Sequence, residues 1–401
     1  MPEKGRRNME NFEYYNPVKV VFGEGVLSKV GEHAAQYGKN ALLVTYAECG
    51  FFTDIIAKIH SSLENAGVSC IDFAGITANP RLSQVEAGVN ICKQKGIDVI
   101  VALGGGSVID AAKVIAAGVF YENGLSSMLM LSHSDIKSVP PEKALPYIAI
   151  PTLAGTGSEM NPIGVITDDA SGKKSYVWEP KCLYAKAAIM DPCLTVKLPP
   201  YQTACGGYDI FAHVMEAYIN GDPEKDLTLH DRMQEGVMKA ALEGLEKVWA
   251  SPEDTQARGV LMWAASVALN GWLLSGTFGF TPMHQMGHVL SARYNATHGA
   301  TLACMMVAWM KYFEQRPDNK RYVMLAQNVF GCSLKEAYER LDKEMSEKGV
   351  ETRIGLFGAK EEELDSLTDE VVAVSFGADG KLNGHPKMTR EDIYQCFKLA
   401  L

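Results

Sequence analysis

The first half of this chain alternates short apolar runs with longer amphipathic stretches, and this alternation restricts the folds available to it. Four runs have the length of buried strands: ALLVT (41–45), VSCIDF (68–73), VIVAL (99–103) and YIAIP (147–151). Between them, residues 52–67 and 82–96 carry apolar residues at helical spacing and end in glycine, a common helix stop. Strands that alternate with helices normally pair in parallel. The sequence therefore predicts an α/β domain with a parallel sheet.

The second half has a different pattern. After Asp191-Pro192 the chain becomes rich in Ala, Leu, Met, Glu and Lys, as in the stretches 226–250 and 258–274. A chain of 401 residues with 47% hydrophobic residues has enough apolar material for two cores. We therefore expect an α/β domain over residues 1–190 and an all-α domain over residues 191–401.

Charge and cysteine usage exclude several classes of function. The net charge of −10, from 38 basic and 48 acidic residues, argues against nucleic acid or an anionic membrane as the main partner. The nine cysteines are scattered without a CxxC pair, which predicts neither disulfides nor a cysteine zinc site. No apolar stretch reaches the roughly 18 residues of a membrane span. We expect a cytoplasmic protein that acts on a small uncharged molecule.

A carboxylate and several histidines have the spacing of a metal site. Asp209 and His213 are four positions apart, as are His284 and His288, so each pair lies on one face of a helix. His298 follows ten residues later. One carboxylate with three imidazoles suits iron(II), zinc, nickel or cobalt, and suits calcium or magnesium poorly. The helical half is therefore predicted to bind a metal.

A glycine-rich loop in the α/β half has the features of a phosphate site. The strand VIVAL runs into Gly104-Gly105-Gly106-Ser107 and then into a helical segment. Glycines permit close backbone approach, and a helix start offers free N–H groups to a phosphate. Ile109 replaces the third glycine of the GxGxxG fingerprint, so a tight strand-to-helix turn remains an alternative. Asp110 and Lys113 could contact a ribose and brace the loop, or be solvated.

The segment Pro151–Glu159 (PTLAGTGSE) directly follows the strand YIAI. Small hydroxyl residues and glycines beyond the carboxyl end of a parallel strand lie where open α/β sheets bind ligands. We expect this segment to form a second wall of the nucleotide site.

These motifs resemble the iron-dependent (group III) alcohol dehydrogenases, and most closely their butanol dehydrogenase and broad-range aldehyde reductase branch. The resemblance rests on GGGSVIDAAK, PTLAGTGSE, the Asp209 to His213 pair and the HQMGH to THG run, in the same order. It implies a dehydroquinate synthase-like architecture, with a dinucleotide-binding domain before a helical metal-binding domain. It also implies a dimer or larger homo-oligomer.

The resemblance assigns roles residue by residue. Metal ligands would be Asp209, His213, His284 and His298, with His288 as a non-ligand histidine beside the substrate. NAD or NADP would contact Tyr46, Asn79, Gly105, Gly106, Ser107, Asp110, Thr152, Thr156 and Lys174. Lys173 is an adjacent alternative to Lys174.

One departure from the branch concerns the coenzyme. After the first strand, the branch has a glycine-rich YGGGS that tolerates a 2′-phosphate, whereas this chain has Tyr46-Ala47-Glu48-Cys49-Gly50. Glu48 would repel a 2′-phosphate if it pointed inward, and we expect no lysine or arginine nearby to bind one. The sequence leaves NAD and NADP open.

The predicted activity is hydride transfer between NAD(P) and a short-chain primary alcohol or aldehyde, with the metal as Lewis acid and His288 as proton relay. Five aromatic residues near the metal motifs form either an apolar substrate pocket or ordinary core: Phe211, Trp272, Phe278, Phe280 and Tyr294. Dehydroquinate synthase-type and glycerol dehydrogenase-type enzymes are alternatives. The dehydroquinate synthase type is a lyase whose substrate needs many cationic residues, and the segments around the metal motifs contain almost no lysine or arginine. A nucleotide-binding regulator is disfavoured because no site residue is missing.

Overall fold

The computed structural model describes residues 10–134, 137–222, 224–277 and 279–401. Its strands are β1 (Lys19–Phe22), β2 (Asn40–Tyr46), β3 (Ser69–Ile76), β4 (Val99–Gly104), β5 (Tyr147–Pro151), β6 (Ile163–Thr167), β7 (Lys174–Trp178) and β8 (Ala187–Met190). Its α-helices are α1 (Val30–Ala34), α2 (Thr53–Asn65), α3 (Leu82–Lys95), α4 (Gly106–Gly118), α5 (Pro200–Ile219), α6 (Thr228–Ala250), α7 (Thr255–Leu269), α8 (Pro282–Tyr294), α9 (His298–Glu314), α10 (Lys320–Leu325), α11 (Leu334–Glu347), α12 (Leu364–Ser375) and α13 (Arg390–Ala400).

The N-terminal half is built on one parallel sheet. Within the described residues, six strands pair in the order β1-β8-β5-β4-β2-β3, and every pairing is parallel. Strands β4 and β5 are buried along their whole length, because helices and loops cover both faces of the sheet. This burial explains why their sequences are continuous apolar runs without alternation.

The order of the strands fixes where a ligand can enter. The chain passes from β2 to the edge strand β3 and then returns to β4 on the other side of β2. The carboxyl ends of β2 and β4 therefore form a topological switch point, which is the usual ligand crevice of an open α/β sheet. Tyr46 ends β2, and Gly104 ends β4.

The C-terminal half is helical and is organised around α5. This helix is buried from Thr203 to Ile219, which is expected of a central helix that is apolar nearly all round. It packs against α6, α7 and α9, and α8 packs against α9. Pro200 and Pro282 lie at the first helical positions of α5 and α8, where a missing N–H costs nothing.

The predicted fold class is confirmed, and each of the four predicted strands lies within or overlaps an observed strand. Strands β1, β6, β7 and β8 were not predicted, because they are four or five residues long and give little pattern. The domain boundary at residue 190 falls at the end of β8 and stays a prediction. No helix among the described residues combines the length and apolar character needed to cross a membrane.

Candidate functional site

The four residues predicted to bind a metal converge between three helices. Asp209 and His213 lie on α5, His284 lies in the first turn of α8, and His298 is the first residue of α9. From Asp209 Oδ1, the distances are 3.4 Å to His213 Nδ1, 3.9 Å to His284 Nε2 and 3.9 Å to His298 Nε2. The ring centroids of His213 and His284 are 4.2 Å apart. Asp209, His284 and His298 therefore bring ligand atoms within 4.8 Å of one another, and the ring of His213 lies beside them.

Several polar atoms at this point have no hydrogen-bond partner. Within the described part of the chain, Asp209 Oδ1, His284 Nε2 and His298 Nδ1 are buried and unpaired. Each such group costs about 1–3 kcal/mol if nothing satisfies it. A divalent cation would satisfy the carboxylate and the imidazole nitrogens together. The residues present therefore fit iron, zinc, nickel or cobalt.

The protonation of the cluster also suits a metal. Burial lowers the pKa of His213 to about 4 and that of His284 to about 3. The pKa of His298 is also lowered by burial. These imidazoles are neutral at neutral pH, so their lone pairs are available for coordination. Burial raises the pKa of Asp209, because desolvation disfavours its charged form, and a bound cation would offset this cost.

Glu216 is a further candidate residue of the site, and the sequence analysis did not predict it. Its fully buried carboxylate accepts hydrogen bonds from His284 Nδ1 and from the backbone N–H groups of Met283 and His284. His213 Nδ1 similarly donates to the Asp209 carbonyl at 2.8 Å. Both contacts fix a ring tautomer and leave Nε2 free for coordination. The signal was present, because Glu216 follows Asp209 by two helical turns on one face.

We predict that Glu216→Gln lowers metal affinity about 10–100-fold, as is usual when a partner of a ligating histidine is changed. Gln keeps the size of the side chain, but its amide nitrogen replaces one of the two oxygens that accept from His284 Nδ1 and from the backbone N–H groups. Competition against a chelator measures the affinity. Glu235→Gln is the matched control, since Glu235 is also buried but contacts Tyr218 and Asn328 instead. Equal affinities for the two variants would contradict the proposed role.

The glycine loop and Tyr46 meet at the switch point of the sheet. The Gly105 N–H donates to Tyr46 Oη at 3.3 Å. A Cβ on Gly105 would lie 2.9 Å from Tyr46 Oη, and a Cβ on Gly106 would lie 2.4 Å from Thr156 Oγ1. Only glycine tolerates these approaches. Helix α4 begins at Gly106, with Ser107 in its first turn, so free backbone N–H groups face the crevice.

The segment Pro151–Glu159 joins the glycine loop to the metal cluster. At one end, the Thr152 N–H donates to the Gly104 carbonyl at 3.0 Å. At its middle, a Cβ on Gly155 would lie 3.2 Å from Asp209 Oδ2. A Cβ on Gly206 of α5 would lie 2.1 Å from the Ala154 carbonyl oxygen. The nucleotide cradle and the metal cluster are therefore adjacent walls of one cleft.

Asp110 and Lys113 are braces of this cleft. Lys113 is fully buried and donates to Ser158 Oγ at 2.7 Å, Asn161 Oδ1 at 3.1 Å and the Ile163 carbonyl at 2.6 Å. Asp110 accepts from Ser158 Oγ and, at 3.1 Å, from the Val165 N–H. The solvated alternative is therefore wrong. Ribose binding by Asp110 stays a prediction.

Lys174 places a cation beside the metal cluster. Its Nζ donates to Asn79 Oδ1 at 2.8 Å. Burial lowers the pKa of Lys174 to about 8, and the charges of Asp110 and Asp209 oppose that shift. Lys174 therefore faces both the nucleotide side and the metal side of the cleft. This position favours Lys174 over Lys173 as the residue that contacts the coenzyme.

His288 stands beside the metal cluster. Its ring stacks on that of His298 with a centroid distance of 5.4 Å, and its centroid is 6.3 Å from that of His284. Burial lowers the pKa of His288, so its ring is neutral at neutral pH. His288 lines a cavity of about 470 Å³ together with Lys174, Gln285 and other residues.

A larger cavity, of about 1640 Å³, lies on the nucleotide side and is lined by Tyr46, Glu48, Gly105 and Thr152 among others. Lys58 and Lys197 also line it. The expectation that no lysine stands near this loop is therefore wrong. The sequence could not show the approach of Lys197, because it follows the α/β half and is 149 positions from Glu48.

The five aromatic residues occupy different environments. Phe211 is buried and packs against Phe330 in the helical core. Trp272 is 51% exposed and packs edge-on against Tyr14. Phe280 lies edge-on to His133, and Tyr294 is half-buried. Phe278 lies outside the described residues. Of the two predictions for these residues, substrate pocket or ordinary core, Phe211 fits the second.

Comparison with known proteins gives the same result along the whole chain. The model of the family described as iron-containing alcohol dehydrogenase matches residues 17–192. The C-terminal model of the Fe-containing alcohol dehydrogenase family matches residues 203–401. These matches confirm the resemblance drawn from the motifs.

Individual relatives align from end to end. NADH-dependent butanol dehydrogenase B of Clostridium acetobutylicum is 34% identical, over 98% of this chain and 100% of that protein. NADPH-dependent aldehyde reductase YqhD of Escherichia coli is 29% identical, over 90% of this chain and 92% of that protein. The crystal structure of NADH-dependent butanol dehydrogenase A from Thermotoga maritima superimposes with a TM-score of 0.89 at 31% identity, covering 98% of this chain and 99% of the other. The chain belongs to the iron-containing alcohol dehydrogenase family.

Proposed function

We propose that this protein transfers a hydride between a nicotinamide coenzyme and a short-chain primary alcohol or aldehyde, at an iron centre. One observation carries the proposal. Asp209, whose Oδ1 is buried and unpaired, lies with its other carboxylate oxygen close to Gly155 in the segment Pro151–Glu159, and the start of that segment contacts the glycine cradle. A metal-activated substrate and a dinucleotide would therefore meet in one cleft.

The chain contributes binding and orientation. We assign iron to Asp209, His213, His284 and His298, and the coenzyme to Tyr46, Asn79, Gly105, Gly106, Ser107, Asp110, Thr152, Thr156 and Lys174. When bound, iron serves as a Lewis acid toward the substrate oxygen, and the nicotinamide gives or takes the hydride. The neutral ring of His288 holds the alcohol proton and passes it toward the solvent side of the smaller cavity. The volume of that cavity suits a short substrate.

The coenzymes of the relatives support NAD(P), and the loop after β2 favours NADH. Glu48 is exposed and lines the larger cavity. Its carboxylate would repel a 2′-phosphate, whereas Lys58 and Lys197 in the same cavity would attract one. Glu48 lies in the loop that stands where the butanol dehydrogenase and aldehyde reductase branch has its glycine-rich YGGGS. We therefore expect the charge of Glu48 to determine the preference between NADH and NADPH. Four relatives of 31–34% identity are named as NADH-dependent butanol dehydrogenases, two of them as probable ones.

We predict that Glu48→Ala raises kcat/KM for NADPH relative to NADH about fivefold, because two like charges about 4 Å apart in water repel by about 1 kcal/mol. The gain should shrink at high ionic strength, where exposed charges are screened. Glu64→Ala is the matched control, since Glu64 is exposed on α2 but does not line the cavity. An unchanged ratio would argue that Glu48 points away from the coenzyme.

The test of the proposed function is a steady-state assay of protein loaded anaerobically with iron. We expect oxidation of butanol with NAD and reduction of butyraldehyde with NADH, and weaker activity with NADP(H). Iron is measured in the same sample. A protein that carries iron but turns over neither substrate with either coenzyme would refute the proposal. The family match favours the dehydrogenase over the lyase, although Lys173, Lys174 and Arg293 line the smaller cavity.

A cytoplasmic homo-oligomer is part of the same proposal. Phe22 on the edge strand β1 and Trp263 on α7 form an exposed aromatic pair with centroids 6.3 Å apart. Exposed apolar groups of this size next to a free strand edge support an interface between copies. Light scattering of the purified protein measures the state of assembly.

A further inference from the structure

A second group of metal-binding side chains lies at the edge of the sheet. It comprises His60 on α2 and Cys70 and Asp72 on β3. One ligand atom from each residue, the imidazole nitrogen, the thiol sulfur and a carboxylate oxygen, lies within 4.8 Å of the other two. None of these residues belongs to the cleft described above.

Helix α2 and strand β3 hold these three side chains close together. Cys70 and Asp72 are two positions apart on a strand, so their side chains lie on the same face of the sheet. Helix α2 covers that face, and the neighbour of His60, Ile59, is fully buried. The side chain of His60 is 37% exposed and that of Asp72 is 50% exposed. Because β3 is an edge strand, an ion can reach the group from solvent.

The distance between the His60 and Asp72 ligand atoms is close to that in a tetrahedral site, and the Cys70 sulfur lies within 4.8 Å of both. Zinc ligands at about 2.0–2.3 Å from the ion lie roughly 3.4 Å from one another. His60 Nε2 and Asp72 Oδ1 are 2.8 Å apart, so they would separate by roughly 0.6 Å. Both side chains are partly exposed, which allows this movement. Water would complete the coordination.

The chemistry of the group also suits such an ion. A thiolate and a carboxylate together neutralise a divalent cation, and imidazole adds a neutral ligand. Binding releases the thiol proton to solvent. Burial, and then the charge of Asp72, raise the pKa of Cys70 to about 12, so this proton opposes binding and makes the site weaker than the buried centre. The protein's net charge of −10 favours cations in general.

We propose that His60, Cys70 and Asp72 bind a second divalent transition-metal ion of the zinc class, which ties α2 to the free edge of the sheet. This site is independent of the proposed catalytic activity. Its sulfur ligand distinguishes it from the iron centre, whose four candidate ligands contain only nitrogen and oxygen.

Cobalt titration of the iron-loaded protein tests the proposal, because a thiolate bound to cobalt(II) gives a charge-transfer absorption that nitrogen and oxygen ligands do not. We expect one further equivalent of cobalt with this absorption in the wild type and in the control Cys332→Ser. Cys70→Ser should abolish the absorption, and His60→Ala should weaken cobalt binding at least about tenfold. Iron content and alcohol oxidation show that each variant is folded.

Zinc gives a second, independent measurement. Equilibrium dialysis should find one zinc in excess of the iron in the wild type and none in Cys70→Ser. A wild type without the absorption and without the extra zinc would overturn the proposal. The same absorption in Cys70→Ser would also overturn it, since another cysteine would then be the ligand.

Discussion

Asp209→Asn is expected to lower kcat/KM for butanol oxidation roughly 10³-fold or more, and to deplete the purified protein of iron. Lewis-acid activation contributes several kcal/mol to catalysis, and each 1.36 kcal/mol is about a factor of ten in rate. Asp209 is the anionic member of the candidate ligand set and lies within 4 Å of nitrogen atoms of the other three. Asn has the same shape but no charge. Iron analysis and steady-state kinetics measure the two effects.

Without metal, we expect the Asp209→Asn variant to be at least as stable as the wild type. In the wild type, Asp209 Oδ1 is buried without a hydrogen-bond partner, and burial raises the pKa of the carboxyl group. Replacing an uncompensated buried charge with a neutral amide removes a desolvation cost. Metal-free Asp209→Asn should therefore unfold at a temperature no lower than that of the metal-free wild type, while the stabilisation by iron is lost.

Asp168→Asn is the matched control for this prediction. Asp168 lies in the turn between β6 and β7 and is equally buried. It accepts hydrogen bonds from Ser171 in the same turn and from Ser126, which precedes β5. Its replacement should destabilise the protein with or without iron and leave the iron content unchanged. If both variants lost iron equally, Asp209 would be a structural carboxylate instead of a ligand.

Local patterns in the sequence were sufficient to predict the architecture. The apolar runs that became β2, β4 and β5 are largely buried strands, and such runs are recognisable without tertiary information. The hairpin of β6 and β7 carries Lys174, yet its ten paired residues show no strong alternation. Its position in the cleft is set by α4 and α8, which pack against it. Short elements of this kind depend on partners that the local sequence does not reveal.

The candidate site was predictable where chemistry and spacing coincide. Asp209, His213 and His284 could be proposed because charged or titratable groups are unusual in apolar helices. Glu216 has the same signature but was overlooked, since a lone glutamate on a helix is ordinarily solvated. The roles of Lys58 and Lys197 depend on which walls the fold brings to one cavity. Spacing along the chain does not report such long-range contacts.

His288→Ala is expected to lower kcat by roughly 10²–10⁴-fold while the iron content stays at the wild-type level, because general acid–base groups contribute about this much. The ring of His288 stacks on that of His298 and lines the smaller cavity, yet it is not part of the group of unpaired atoms. Imidazole in the buffer should restore part of the rate, since the deleted ring opens into a cavity of about 470 Å³. Kinetics and iron analysis of one preparation measure both quantities.

His230→Ala is the matched control, because His230 is buried on α6 and donates to the Ser275 carbonyl at 2.6 Å, and it does not line the cavity. Its loss should cost stability but not turnover per bound iron, and imidazole should have no effect on it. Loss of iron from His288→Ala would instead identify His288 as a ligand or as a support for His298. Rescue of the rate by imidazole at unchanged iron content separates these roles, because a proton carrier can be replaced by an added base without any change in the metal site.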